Sequence, residues 1–387
     1  MDNKRSKVIV VPCDTYDEEK VYNCLKLGIA TLGGLDKLIE KDEKILVKPN
    51  FLSAAEADKA VTTHPSVIKG FLRILSEEGY ASVKYGDSPG HGSCAGAAAK
   101  MGLTSENTYG AVLADMSEEV TVPYEAGLTC NEFHFSREVV EADAIVNICK
   151  MKTHALERIT GAVKNVYGLI CGYRKAAGHV KYPNASVFAR ALCDIHRCVK
   201  PRLHIMDGIV AMEGNGPGNG TPINMNVLLF STDPVAADTV FCYLVNLDPE
   251  LIPTNVQGQA MNIGVYDESL IDIVYVEDVA NPGIITKDEL YAKLGNGDFD
   301  VPRNKPKKTF LFNYSSFMTK FARRPYIDKK ECVKCGICVS HCPVPGKAVD
   351  FKKGKNECPV YDYTKCIRCY CCQEMCPKNA IKVRGRL

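Results

Sequence analysis

The chain has 387 residues, 46% of them apolar, and a formal net charge of only +2. That length holds two or three domains, and the near-neutral charge excludes bulk attraction to nucleic acid or an anionic membrane. The first apolar run, Val8 to Val11, is too short for a signal segment or a membrane span, and no other stretch approaches one.

Residues 1–301 read as one α/β body. Short β-branched runs predict strands at Lys7–Val11, Lys44–Lys48, Ser82–Tyr85, Val112–Asp115, Ala144–Cys149, Leu203–Asp207, Val227–Phe230 and Ile271–Tyr275. Amphipathic stretches predict helices at Glu18–Leu32, Pro65–Glu78, Ser186–Val199 and Pro234–Val245. Strand, helix, strand at this spacing predicts crossover units and a mostly parallel sheet with helices on both faces. Several strands are apolar throughout, as expected when both faces are covered. Residues 302–325 form a basic and apolar join, read as a linker packed on the body with a solvated basic edge; docking of an acidic redox partner is the other reading.

Residues 326–387 carry the strongest signal. Cys332, Cys335, Cys338 and Cys342 are spaced C-x2-C-x2-C-x3-C and followed by Pro343; Cys366, Cys369, Cys372 and Cys376 repeat the spacing, followed by Pro377. This is the bacterial two-cluster ferredoxin run written twice, in which the fourth cysteine of each run serves the other cluster. Cys332, Cys335, Cys338 and Cys376 are therefore expected on one [4Fe-4S] cluster, and Cys366, Cys369, Cys372 and Cys342 on the other. Zinc sites also use C-x2-C pairs, but not three cysteines at this spacing plus Cys-Pro, twice over. The 23-residue insert between Cys342 and Cys366 carries Cys358, which, like Cys371, is read as an extra thiol near the clusters. Each half predicts a cysteine loop, a short helix and a return strand, giving a small α+β ferredoxin-like domain. Nineteen cysteines would suggest disulfides in a small secreted protein, but with eight as cluster ligands a reducing cytoplasm is expected. An anaerobic host fits, because oxygen destroys many exposed cubes.

In open α/β sheets, ligands sit beyond the carboxyl ends of the strands. Those ends here carry Lys48-Pro49-Asn50, Gly86-Asp87-Ser88-Pro89-Gly90, Lys150 to His154, Asp207-Gly208 and Met212 to Gly220. Several such words at one edge describe a polar cleft for an anionic ligand. Lys152 and His154 alternate on an extended segment and point to one side. Lys164 and Asn165 fall in an otherwise apolar, helix-like stretch, where an unpaired lysine is costly to bury. His64-Pro65 also fits a helix start, as does Asp233-Pro234. Gly214–Gly220 reads either as a lid over the cleft or as a long turn. No G-x-G-x-x-G follows the first strand, and no Walker loop or local nucleophile signature appears.

The strand-end words, with Thr63-His64-Pro65, Gly161 to Asn165, Glu213 to Pro217 and Asp233 to Asp238, resemble the domain-of-unknown-function family numbered three-six-two, often followed by a two-cluster ferredoxin module. The resemblance implies an iron–sulfur protein of anaerobes, described as ferredoxin-like, and carries no catalytic role. The chain is expected to transfer electrons. As an oxidoreductase it would pass them to a small anionic substrate in the cleft. Lys48, Lys152 and Lys164 would neutralise charge there, and His64 or His154 would supply protons. Asn50, Asp87, Asn165, Asp207 and Glu213 would orient these groups or hold a cofactor or metal; whether a flavin or additional metal sits there is left open. The alternative is an electron carrier or adaptor without substrate chemistry. A redox partner protein is expected under either reading.

Overall fold

The computed structural model describes residues 5–90, 92–172, 174–182, 184–278, 281–304, 324–352 and 354–384. The expected linker, 302–325, lies largely outside these, at 305–323.

The body is built on one ten-stranded sheet. Its strands are β1 (Ser6–Pro12), β2 (Ile45–Pro49), β3 (Val83–Tyr85) and β4 (Val112–Leu113), then, after a separate hairpin of β5 (Glu119–Pro123) and β6 (Glu132–Ser136), β7 (Ala144–His154), β8 (Arg158–Thr160), β9 (Leu203–Glu213), β10 (Thr221–Ser231), β11 (Ile271–Tyr275) and β12 (Gly283–Ile285). The order across the sheet is β12-β11-β1-β10-β9-β7-β2-β3-β4, with β8 folded back on β7. Only β8, β10 and β12 run against the rest. The sheet is thus mixed but mostly parallel, and the carboxyl ends of β2, β3, β7 and β9 gather along one edge.

Helices α1 (Glu18–Leu32), α2 (Pro65–Glu77), α3 (Cys94–Lys100), α4 (Arg137–Glu141), α5 (Ala162–Asn165), α6 (Arg174–Lys181), α7 (Ala185–Val199), α8 (Pro234–Leu244), α9 (Pro253–Ala260) and α10 (Lys287–Leu294) complete the body. Strand alternation divides the core between the two faces. Ile9 and Val11 join a cluster with Val21, Leu25 and Phe71 of α1 and α2, while Val8 and Val10 join Val240, Phe241 and Leu244 of α8. A Cβ on Gly28 would overlap the Phe230 ring, so this glycine lets α1 lie directly on β10. Capping sets the helix starts: Asp17 accepts from the Lys20 amide, and Asp233 from the Val235 and Ala236 amides, with Pro234 at the first position.

The sequence reading did not expect β5, β6, β8 or β12. β7, β9 and β10 run on past their expected ends, because the polar words there remain paired in the sheet.

The small domain pairs β13 (Arg324–Ile327) with β16 (Ile381–Arg384), and β14 (Val349–Asp350) with β15 (Val360–Tyr361). Between them sit the one-turn helices α11 (Ile337–Ser340) and α12 (Cys371–Glu374). The two halves repeat each other in backbone detail. Lys334 and Arg368, Gly336 and Tyr370, and Lys347 and Asn379 all have positive φ at matching places. Gly336 and Tyr370 begin α11 and α12.

Candidate functional site

The cysteines of the two runs gather in the small domain. One cavity in the small domain is walled by Cys332, Cys335, Cys338 and Cys376. Cys338 neighbours the thiols of the other three. Cys366 neighbours Cys369 and Cys342, and Cys372 neighbours Cys369 and Cys366. The fourth cysteine of each run thus crosses to the other set. Backbone amides point at these sulfurs in matching fashion: Ala348 N–H to Cys342 Sγ and Ala380 N–H to Cys376 Sγ, both at 3.3 Å. Tyr361 adds an O–H to Cys372 Sγ at 3.0 Å. Clustered thiols with N–H and O–H donors aimed at them suit the sulfur-rich surface of an iron–sulfur cluster. Cys358 lies beside Cys332 and Cys371 beside Cys369.

The second feature is a cavity of ≈ 100 Å³ between the sheet edge and α12. The body contributes Asn50, Asp87, Lys152, Lys164, Asn165 and Lys175, and the small domain contributes His341, Cys371, Glu374 and Met375. Lys152 is buried at 1% exposure and bonds only neutral oxygens, Asn50 Oδ1 at 2.7 Å and Val61 O at 2.8 Å. Burial, with Lys164 and Lys150 nearby, holds its ammonium well below the ordinary lysine range. From Asn50 a hydrogen-bond chain runs inward: Asn50 Nδ2 donates to Asn165 Oδ1, and Asn165 Nδ2 to Asn147 Oδ1. Asn147 ends against His204 Nδ1 and Ala162 O. These bonds fix the asparagine amides. Lys175 donates to Ser88 O, Ser88 Oγ and Ile170 O, and burial lowers it to about 8.

Lys48 stands behind this wall, paired with Asp87 at 2.9 Å and bonded to Pro49 O at 2.8 Å. Burial pulls its ammonium down and Asp87 opposes this. Asp87 Oδ2 also accepts from the Phe51 amide. A Cβ on Gly168 would overlap Asp87 Oδ1, so that position leaves room for the pair.

Other expected site residues lie outside the cavity wall. Asp207 belongs to a separate network: it pairs with Lys150 at 2.8 Å and accepts from Tyr16 Oη and the His64 amide. Lys150 also donates to Tyr16 Oη. His64 caps α2 through Nδ1 to the Ser66 amide and stacks on Tyr16 at 3.5 Å. Burial lowers it to about 4, so it is neutral near pH 7 and its Nδ1 is engaged. Glu213 accepts from the Asp300 amide at the end of β9. His154 uses Nδ1 for the Leu156 and Glu157 amides, and its Nε2 meets Glu374 Oε1 at 2.9 Å.

The glycine-rich loop 214–220 grips the small domain. Gln373 Nε2 donates to Asn215 O, Asn215 Oδ1 and Gly216 O. Asn219 Nδ2 donates to Gln373 O, and Asn215 Nδ2 to Asn379 Oδ1. The loop is therefore a docking platform that seats α12 over the cavity. The sequence reading passed over Tyr16, Asn147, Lys175, Glu157 and Gln373. Lys150 alone carried a signal, since it shares strand parity with Lys152.

The family models match the two-part organisation. The family model described as "Domain of unknown function (DUF362)" matches residues 45–243, and a 4Fe-4S dicluster domain matches 324–381. A thylakoid-associated protein of Synechocystis sp. is 30% identical over 325 residues, 82% of this chain and 96% of that protein. Among solved structures, the lactate racemase apoprotein of Thermoanaerobacterium thermosaccharolyticum shares 14% identity at a TM-score of 0.40, over 63% of this chain and 58% of that one. A Thermotoga maritima protein shares 15% at 0.37, over 68% and 62%. The chain thus spans less than two thirds of either structure. Among the described residues no helix is long and apolar enough to cross a membrane. The chain belongs to the DUF362 family of domains of unknown function and carries a 4Fe-4S ferredoxin-type domain after it.

Proposed function

We propose that this chain is an iron–sulfur oxidoreductase acting on a small anionic compound in the cavity between the sheet edge and α12. Cys332, Cys335, Cys338 and Cys376 hold one [4Fe-4S] cluster and Cys366, Cys369, Cys372 and Cys342 the second. The clusters supply one-electron transfer. The observation that carries the reading is the shared wall: Lys152 and Lys164 on one side, and Cys371, between ligands Cys369 and Cys372, on the other. A pure carrier needs no buried Lys152 and half-buried Lys164 facing its cluster domain.

The body's part is electrostatic. Lys152 offers its remaining N–H to an oxyanion in a poorly solvated place, where charge-assisted bonds are strongest. Lys164 has no hydrogen-bond or ion-pair partner among the described residues and lines the same cavity. Asn50 and Asn165, locked by their own chain, hold Lys152 in place. His154, tied to Glu374, joins the cavity's two halves. At ≈ 100 Å³ the space suits a compact acid and is small for a dinucleotide.

The test is anaerobic. The reduced protein is mixed with pools of small organic acids and oxyanions while cluster absorbance is followed. Reoxidation by one compound, lost in Lys152→Gln and Lys164→Gln, is expected. A second reading, an electron carrier with the cavity as a plain binding site, draws on the exposed loop at Val333 to Cys335, which offers one cysteine run to a partner protein. Fast reoxidation by redox proteins with no response to any pool would establish it instead.

A further inference from the structure

We infer that Glu157 takes up a proton when an anion enters the cavity, because the anion competes for Lys164, whose charge, alone among the described residues, acts on this buried carboxyl. The inference rests on the anion-binding reading above and adds to it a proton-holding residue.

Glu157 lies in the turn between β7 and β8 and is 0% exposed. Neither carboxyl oxygen has a hydrogen-bond partner among the described residues. A buried carboxylate without donors is costly, so the group must be neutral or lean on a nearby cation. Its neighbours leave little choice. In its own turn, His154 Nδ1 accepts from the Glu157 backbone N–H, and the Arg158 guanidinium is turned to Pro302 O and Asn304 O. From α7 the neighbouring group is Cys193, whose thiol burial pushes up and keeps uncharged. From α5 comes Lys164. Burial raises the Glu157 carboxyl to about 8, with Lys164 opposing the rise. The acid therefore titrates where a change in the charge at Lys164 decides its state.

Lys164 is shared between two places. It opposes Glu157 on one side and lines the cavity with Lys152 on the other. With the cavity empty and the solution alkaline, Lys164 stabilises ionised Glu157. An anion beside Lys152 competes for the same ammonium. Glu157 then lacks a counter-charge, and one proton moves from solvent to a carboxyl oxygen; no other bond changes. Anion binding and proton uptake are thereby linked, and a reduction in the cavity begins with a proton already stored behind the lysine.

The test uses the anaerobic holoprotein with acetate, formate and sulfate, whose charges are constant from pH 7 to pH 9. Calorimetry in two buffers of different ionisation enthalpy gives affinity and protons taken up. With the acid at about 8, linkage predicts about tenfold weaker binding at pH 9 than at pH 7, and about one proton taken up at pH 9 against almost none at pH 7. Lys175, lowered to about 8, faces the same cavity, so the difference between wild type and Glu157→Gln carries the test. Glutamine mimics the protonated acid and should remove that tenfold fall. Were Glu157→Gln to keep the wild-type slope and proton count, the inference would fail while the anion site stood. Should none of the three anions bind wild type, the anion reading fails and this one with it. Infrared difference spectra of wild type at pH 9 provide a check independent of the variant: a protonated-carboxyl band must grow on anion addition, and its absence overturns the proposal.

Discussion

Asp87→Asn probes the wall of the cavity with two readouts of opposite sign. Lys48 and Asp87 pair at 2.9 Å with side-chain exposures of 0% and 4%. At that distance, and an effective dielectric near 20, their gross attraction is roughly 5–6 kcal/mol. Removing one member of such a pair costs about 3–5 kcal/mol, because the other charge is left buried alone. Asparagine keeps an oxygen for the Phe51 amide, so the loss reports the charge rather than that bond. Lys48, already lowered by burial, can shed its proton in the variant, which caps the cost. Anion affinity should move the other way, because a negative charge has left the cavity wall. The assay is denaturant unfolding of the anaerobic holoprotein. Circular dichroism follows the body and cluster absorbance the small domain, since two domains need not unfold together. The double variant Lys48→Met, Asp87→Asn should recover at least half the loss. A cost below about 1 kcal/mol for Asp87→Asn alone would refute the claim that this pair is a buried, mutually dependent unit.

Gln373→Leu strands the carbonyls of Asn215 and Gly216, at a cost to docking of about 1–3 kcal/mol; hydrogen exchange at residues 214–220 should quicken, and unchanged exchange would count against the platform. Burial holds His196 neutral down to about 4, against about 6.5 in an unfolded chain. The unfolded chain therefore binds the proton first. Stability is full above pH 6.5 and falls by about 3 kcal/mol between pH 6.5 and pH 4, a slope that His196→Gln should flatten in urea titrations across that range. Serine at Cys358 or Cys371 should leave iron and acid-labile sulfide unchanged. Serine at Cys342 or Cys376 should deplete both, and equal losses in all four variants would overturn the choice of ligands.

The sheet was legible where sequence and environment agree. The run at Ile271–Tyr275 is a strand with the expected bounds, and Glu18–Leu32 is the expected helix. The cysteine sets were legible because spacing alone constrains which sulfurs can meet. What escaped was held by distant partners. The segment Lys150 to His154 is read as extended but placed beyond the strand, yet it continues β7, because Asp207, Asn50 and Glu374 accept from or face its polar side chains. Glu213 and His64 were grouped with the cleft by their neighbours in sequence, but a backbone amide and a tyrosine ring engage them elsewhere. Glu157 and Lys175 stand in no motif, since their character comes from burial by segments far along the chain. The hairpin of β5 and β6 does alternate polar and apolar residues, EVTVP against EFHFS, a period-two signal that five-residue strands carry too briefly to stand out.

The repeat in the small domain has one more consequence. A duplicated unit has, in isolation, no preferred sense: either half could serve as entrance or outlet. Seating on the loop at 214–220 removes that equivalence. The half containing Cys371 is pressed against the body, while Val333, Lys334 and Cys335 of the other stay exposed to solvent. Two similar halves thereby acquire different dielectric surroundings, which, for the two clusters proposed above, would set two different potentials on identical ligand chemistry. Asymmetry of placement, with no change in the repeat itself, is enough to give the module a direction.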